Sequence, residues 1–427
     1  MSSSVGLPAD WERTRLDRVA TVNARIGWKA LTASEYQPEG YAFLATPNIK
    51  SREIDFSNVN YISEFRYEES PELKLRSGDI LLAKDGNTLG IVNIVRDLPR
   101  PATVNGSIAV IRAHSMRPEY LRYVIASDLV QGEIGALKGG MGVPHLFQWD
   151  IKRLRLSCPP MEEQRRIADF LDAETSLIDR MVDRQESLLQ LLAERIRAHR
   201  DSMVNRLAAK CGEVSLRRFV TRIEQGASPQ CDSNPRVDES QWAVLKLSAV
   251  KRGNFHPEEN KLLPPEIEPA VPFQVRDGDL LVTRANTPNL VGDVAVVTGD
   301  CKRLLLPDLI YRVTLANGFD SRFVAEVALS GRVRAFIEAS ARGTSQSMVK
   351  LRGEDIRSWP LPLAGPKEQR ELVTELSDSA AHTQRLCDAV NFKLRLLAER
   401  RQALITAAVT GQFDISTASG RNTTQGV

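Results

Sequence analysis

The chain has 427 residues, 42% hydrophobic and 26% charged, which excludes a disordered or membrane-embedded protein and leaves room for two or three cores. No run approaches the roughly 18–20 apolar residues of a membrane span, no signal-peptide core opens the chain, and five scattered cysteines form no C-x-x-C pair, so a reduced, cytoplasmic protein without structural metal is expected. The net charge of +3 is too small for a protein that coats nucleic acid non-specifically, so any DNA contact would come from local loops or be shared with a partner.

From the N-terminus to about residue 155 the sequence is broken by Gly and Pro and carries short apolar runs of strand character, DILLA, IVNIV and SIAVIRA. A helical patch, PEYLRYVIASDLVQGEIGAL, follows the third run. From about Glu162 to Lys210 there is neither Pro nor Gly. Apolar residues recur there at Leu171, Ile178, Val182, Leu189, Leu192, Ile196, Met203 and Leu207, a stripe down one face of a long helix. Residues 212–360 return to the broken pattern, with DLLVT, DVAVV and the helical patch SRFVAEVALSGRVRAFIEA. A second long helix is predicted from about Lys367 to Thr410, striped by Leu372, Leu376, Thr383, Leu386, Val390, Leu394, Leu397, Leu404 and Ala408. Pro159, Pro160 and Pro366 stand before the helices and Gly411 after the second.

Two halves of the chain say the same thing. LRSGDILLAKDGNTLG at 75–90 reappears as VRDGDLLVTRANTPNLVG at 275–292, and YAFL at 41–44 as WAVL at 242–245. DIKRLRLSCPP at 150–160 matches DIRSWPLPLAG at 355–365, EQR at 163–165 returns at 368–370, and LLAER at 191–195 returns at 396–400. Five collinear matches at offsets of 200–205 identify a duplication, each copy an α+β domain followed by a helix. The helices could be ordinary amphipathic elements buried on their own domains. The duplication suggests instead that each stripe meets the other, in a strut of roughly 70 Å at about 1.5 Å per residue. Leu171, Ile178, Leu189 and Ile196, with Leu386, Leu397 and Leu404, are the expected seam.

Signatures of catalysis are missing. There is no G-x-x-x-x-G-K-[ST] loop, no G-x-G-x-x-G after a strand and no H-E-x-x-H, and the five histidines are scattered. Pro307-Asp308 hints at a metal nuclease, but the acid-x-Lys that should follow it, Asp300-Cys301-Lys302, precedes it. No Asn-Pro-Pro-aromatic loop is present to hold an amino group for methyl transfer. No catalytic and no metal-binding residues are assigned.

PPMEEQRRIADFLDAETSLIDR at 159–180 and ERRQALITAAVTGQFDI at 399–415 resemble the two conserved helical regions of the specificity subunit of type I restriction–modification systems. SGDILLAKDG and DGDLLVTRAN look like the segment shared by that family's target-recognition domains, and LPADWERTRLDRVA is similar to its usual start. The second helical start keeps Glu368-Gln369-Arg370 but lacks the IADFLD character of the first.

The resemblance implies two tandem, pseudo-symmetric target-recognition domains separated by two long antiparallel helices. Recognition domains at 1–157 and 211–362, helical regions at 158–210 and 363–413, and a flexible tail at 414–427 are expected. It also implies a non-catalytic subunit that reads a bipartite double-stranded DNA target and assembles with two modification (methyltransferase) subunits. Those would bind S-adenosylmethionine, and restriction subunits, where present, would use ATP and Mg; no cofactor is expected in this chain. A scaffold of a methylation-only complex, a fused nuclease–methylase and a coiled-coil adaptor with no DNA role are the alternatives.

On that reading, the loop after the GDxLL strand offers Lys84, Asn87 and Thr88 in one copy and Arg284, Asn286 and Thr287 in the other. Lys and Arg can bridge guanine, and Asn adenine. The same loop could be only a turn in which Asp85-Gly86 or Asn286 supplies left-handed backbone. A second loop offers Lys138, Gly139, Gly140 and His145, matched by Arg342, Thr344, Ser345 and Gln346, unless it is merely a flexible connection. Lys50, Lys246, Lys251 and Arg252 form a weaker third set that solvated charges would also explain. The EEQRR and LLAER edges are candidates for docking the modification subunits.

Overall fold

The computed structural model describes residues 7–24, 31–50, 52–137, 144–231, 233–316, 318–340, 342–345 and 348–413, with backbone alone at 342–345 and 348. The chain divides into two compact units, Met1–Gln185 with Phe392–Val427, and Glu186–Asn391.

In the first unit, four antiparallel strands form the central sheet: β1 (Ala20–Ala24), β2 (Ile80–Ala83), β3 (Val92–Ile94) and β4 (Ile108–Ala113), in the order β1-β4-β2-β3. Ile80 pairs with Ile111 on one side and Ile94 on the other. Side chains alternate across β2, as a strand between two layers requires. Ile80 and Leu82 enter one core, Leu81 and Ala83 another built with Ala42, Leu44, Ala102 and Val104. The expected helical patch becomes two helices, α1 (Pro118–Ala126) and α2 (Asp128–Ala136), interrupted at buried Ser127, whose hydroxyl donates to the Val124 carbonyl at 2.7 Å. A short helix, α3 (Gln148–Arg153), leads to strand Arg155–Cys158, which pairs with Glu12–Arg15 and closes the domain on its own start.

The long helix α4 runs unbroken over Met161–Cys211. In the second unit the central sheet is rebuilt from β5 (Val220–Gln225), β6 (Leu280–Thr283), β7 (Val294–Val296) and β8 (Ile310–Leu315), in the order β5-β8-β6-β7. Helices α5 (Ser321–Ala328) and α6 (Gly331–Ser340) are again separated by a buried serine, Ser330, bonded back to Val327 at 2.6 Å. After α7 (Gly353–Arg357), strand Pro360–Pro362 pairs with Glu213–Ser215. The second long helix, α8, spans Pro366–Val409. Pro366 is its first residue rather than a breaker ahead of it, a position where the missing N–H costs nothing.

The duplicated motifs are explained by buried polar bonds. Gly78 and Gly278 adopt φ of 90° and 85°, which glycine tolerates. The aspartate after each accepts the backbone N–H three residues back, from Arg76 at 2.8 Å and from Arg276 at 2.9 Å. Asp79 then takes both Nε and Nη2 of Arg112 at 2.7 Å, and Asp279 takes Nη1 of Arg312 at 3.2 Å. The repeated glutamine is a clamp. Gln164 accepts from Arg117 N at 2.9 Å and donates to the Pro159 carbonyl at 2.8 Å; Gln369 accepts from Asp320 N at 2.9 Å and donates to Ala364 at 2.9 Å. Both are buried, so the middle residue of EEQRR is no docking group; Arg165 and Arg166 beside it are exposed.

Within each unit α4 and α8 run antiparallel. Asp179 meets Arg401 at 3.5 Å in the first; His199 meets Glu375 at 3.6 Å and Lys210 meets Glu368 at 3.5 Å in the second. Of the expected seam residues, Leu171, Ile178 and Leu397 are buried, while Leu189, Ile196 and Leu404 are half-buried. Leu386 departs from the expectation: it is 38% exposed. Leu171 sits in the core of the first domain with Ile405 and Ala408, and Leu372 and Leu376 in that of the second. The ends of both stripes therefore root the helices in the domains as well as in each other.

Candidate nucleic-acid interface

Strand β2 ends at Ala83, and the next five residues fold into one turn of 3-10 helix, Gly86–Thr88, held by the Thr88 hydroxyl on the Asp85 carbonyl at 3.1 Å. Gly86, at φ 68°, supplies the left-handed residue; Asp85 is extended at φ −132°. The second predicted loop arrives beside it. Leu146 N donates to the Lys84 carbonyl at 2.9 Å and Gly86 N to that of Pro144 at 2.8 Å. His145 Nδ1 hydrogen-bonds Asp85 Oδ1. Two loops 60 residues apart in sequence thus make one surface.

The side chains there differ in availability. Asn87 is exposed, and Thr88 and His145 are half-exposed. Lys84 is buried, with its ammonium 3.4 Å from Asp85, so its first role is to fix the loop rather than to reach outward. Lys138, Gly139 and Gly140 lie outside the described residues. Two residues that the sequence reading left out complete the surface: Phe147 and Trp149 are 47% and 55% exposed, with near-parallel rings 6.1 Å apart. His145 packs edge-on to Phe147, and the Arg153 guanidinium lies 5.2 Å over Trp149. Aromatic residues at alternate positions of HLFQW in a polar stretch were the available signal.

The second unit repeats the junction. Leu351 N donates to the Arg284 carbonyl at 2.8 Å, the counterpart of the Leu146–Lys84 bond. Strand Ala285–Asn286 pairs with Met348–Lys350, which in turn pairs with Arg342–Ser345. Asn286 is therefore in a strand, not a left-handed turn, and its carboxamide oxygen accepts Thr287 N at 2.8 Å. Arg284 is half-buried, donates to the Asp308 carbonyl at 3.3 Å and lies 6.0 Å over the Tyr311 ring. Thr287 is exposed. Arg342, Thr344 and Ser345 are described in backbone only, and Gln346 lies outside the described residues.

Beneath this junction Asp293 is buried, and desolvation raises its carboxyl above the ordinary aspartate range despite the Arg252 N–H at 2.8 Å. It anchors Arg252, one of the third, weaker set, whose φ of 50° makes it a strained turn residue. Where the first copy carries His145, Phe147 and Trp149, the aligned residues of the second are Lys350, Arg352 and Glu354, all exposed. The same junction therefore presents an aromatic face in one copy and a charged one in the other.

Known proteins show the same organisation. A family model, the type I restriction modification DNA specificity domain, matches residues 8–190. The specificity subunit of the type I restriction enzyme EcoEI from Escherichia coli is 29% identical over 193 residues, 45% of this chain and 32% of that protein. The chain thus spans about a third of that relative. The EcoKI specificity subunit from Escherichia coli strain K12 is 22% identical over 432 residues, 95% of this chain and 90% of the relative. A chain from a solved structure of complex assembly and conformational transition in the type I R-M system shares the fold, with a TM-score of 0.62 at 18% identity, over 96% of this chain and 100% of that one. With the duplicated domains, the paired long helices and these matches in agreement, residues 8–190 carry a type I restriction modification DNA specificity domain, and the chain is similar to type I specificity subunits over most of its length.

Proposed function

We propose that the chain reads a bipartite DNA target, one half-site through each loop junction, and holds the subunits that modify it. The observation that carries this reading is the junction itself: one backbone bond, Leu146 to Lys84 and Leu351 to Arg284, repeated in both units under different side chains. Unlike side chains on like scaffolds mean unlike half-sites, hence an asymmetric, non-palindromic target. Asn87 and Asn286 are suited to adenine and Arg284 to guanine, each pairing worth about 1–3 kcal/mol of discrimination.

Chemistry falls to partners. Two modification subunits would carry S-adenosylmethionine and methylate adenine, with ATP- and Mg-dependent restriction subunits added where the system also cleaves. The second LLAER leucine is buried in both copies, but the first is exposed in each, Leu191 by 61% and Leu396 by 47%. Paired apolar projections of this kind suit a docking contact made twice.

Mapping methylated adenines in a host that carries the reconstituted complex tests the reading. An asymmetric two-part motif is expected, with Asn87→Ala relaxing one part and Asn286→Ala the other. A palindromic motif, or both variants relaxing the same part, refutes it.

A further inference from the structure

Apart from the loop junction, the first unit gathers charge that neither its core nor the proposed reading requires. Lys50, Arg52, Arg96, Arg122 and Arg401 line two adjoining clefts of about 280 and 220 Å³, against the carboxylates of Glu53, Asp172 and Asp179. Each aspartate is shared between two guanidinium groups. Asp172 Oδ1 accepts from Arg96 at 2.9 Å, from Arg122 at 3.2 Å and from the Tyr123 hydroxyl at 2.6 Å. Asp179 faces Arg52 at 3.3 Å and Arg401 at 3.5 Å. Five cations against three acids leave the clefts positive.

The donors are not used up. Nε of Arg122 is buried and makes no hydrogen bond. Burial pushes the Arg122 guanidinium below its ordinary value, Tyr123 and Asp172 oppose this, and the like charges of Arg96 and Arg401 add to it. A further anion would relieve that repulsion. The fold does not demand the cluster: in the second copy Arg52 and Arg96 align with Gly253 and Thr298, and Asp172 aligns with Ser377 on α8.

We propose that these clefts bind a phosphate group, as inorganic phosphate or a small phosphate ester. Planar guanidinium forks match phosphate oxygens, and several converging on a half-enclosed space form a receptor for a multiply charged tetrahedral anion. The place of the Arg96 and Asp172 cleft favours a small ligand over the read duplex. Strand β3 leaves the 84–91 loop at Val92 and ends two residues before Arg96, so that cleft lies at the far end of the strand from the loop junction, whereas the adjoining one reaches back to Val92 and Asn93.

Calorimetric titration of the full chain with inorganic phosphate and with ADP, in chloride buffer, tests this. Saturable heat is expected from at least one, weakened about tenfold in Arg122→Gln. Arg52→Gln, at a half-exposed position that leaves the core intact, should weaken it severalfold and still bind target duplex like the unaltered chain. No saturable heat, or heat unchanged in both variants, overturns the proposal. Loss of duplex affinity in Arg52→Gln, with no heat from either small anion, also overturns it and assigns the cleft to the DNA backbone.

Discussion

The two recognition halves agree in what is buried and differ in what is exposed. Strand order, the left-handed glycine, the aspartate–arginine pair at a spacing of 33 residues, the glutamine clamp and the serine between two helices recur position for position. Over the junction, His145, Phe147 and Trp149 stand where Lys350, Arg352 and Glu354 stand in the second half. Bonds that satisfy buried polar groups fix the scaffold, because losing one leaves its partner stranded. Solvent-facing side chains carry no such constraint, so they are free to differ between the halves.

The sharpest way to break the comparison is through its aspartates. Asp79 is almost wholly buried and is the carboxylate partner of Arg112, so Asp79→Ala should cost about 3–5 kcal/mol, read as a fall in unfolding midpoint. Arg312 also pairs with Glu224, so Asp279→Ala should cost less, about 1–2 kcal/mol. Equal losses would mean the two pairs are equivalent after all. Next in size are the helix stripes. Leu171→Ala should lose about 2–5 kcal/mol, whereas exposed Leu386→Ala should stay within about 1 kcal/mol. A large loss at Leu386 would place it in a seam.

The glutamine clamps should respond alike. Gln164→Ala and Gln369→Ala are each expected to cost about 1–3 kcal/mol, and a marked inequality in chemical denaturation would show that the clamps differ in weight. Phe147→Ala and Trp149→Ala remove half-exposed rings and should leave stability nearly unchanged while weakening duplex binding by about tenfold, measured by fluorescence anisotropy. Unchanged binding would detach the aromatic face from recognition.

Acid titration gives the smallest and most discriminating contrast. Burial alone would raise Asp172, but hydrogen bonds from Tyr123 and Arg96 hold its carboxyl below the ordinary range. Its contribution is full above the ordinary aspartate value and is lost as pH falls through the lower folded value. Asp293 is raised, so its burden is present above the raised value and relieved as pH falls through it toward the ordinary one. Stability of Asp172→Asn relative to the unaltered chain should therefore rise on acidification, and that of Asp293→Asn should fall. The same sign for both would overturn the assignment.

Much of this was legible in the sequence because local rules wrote it. An unbroken stretch without Pro or Gly placed α4 within a residue of Met161–Cys211, and the repeat foretold two similar domains. The GDxLL motif was visible, but its reason was not, since Arg112 lies 33 residues away and only the sheet brings it to Asp79. Lys84 looked like a free cation because burial depends on Ser107 and Leu146, which bond its backbone from distant strands and loops. Leu386 fits the apolar spacing yet faces solvent; periodicity says which side of a helix is greasy, not how far a neighbour covers it.

Each recognition half closes on itself, strand Glu12–Arg15 against Arg155–Cys158 and Glu213–Ser215 against Pro360–Pro362. Start and finish of each half therefore lie side by side, like the two pins of a plug, and both connect to a helix that need not change. Exchange of one whole half for a foreign one would meet a ready-made socket, so a half can be replaced in a single event without redesigning the rest.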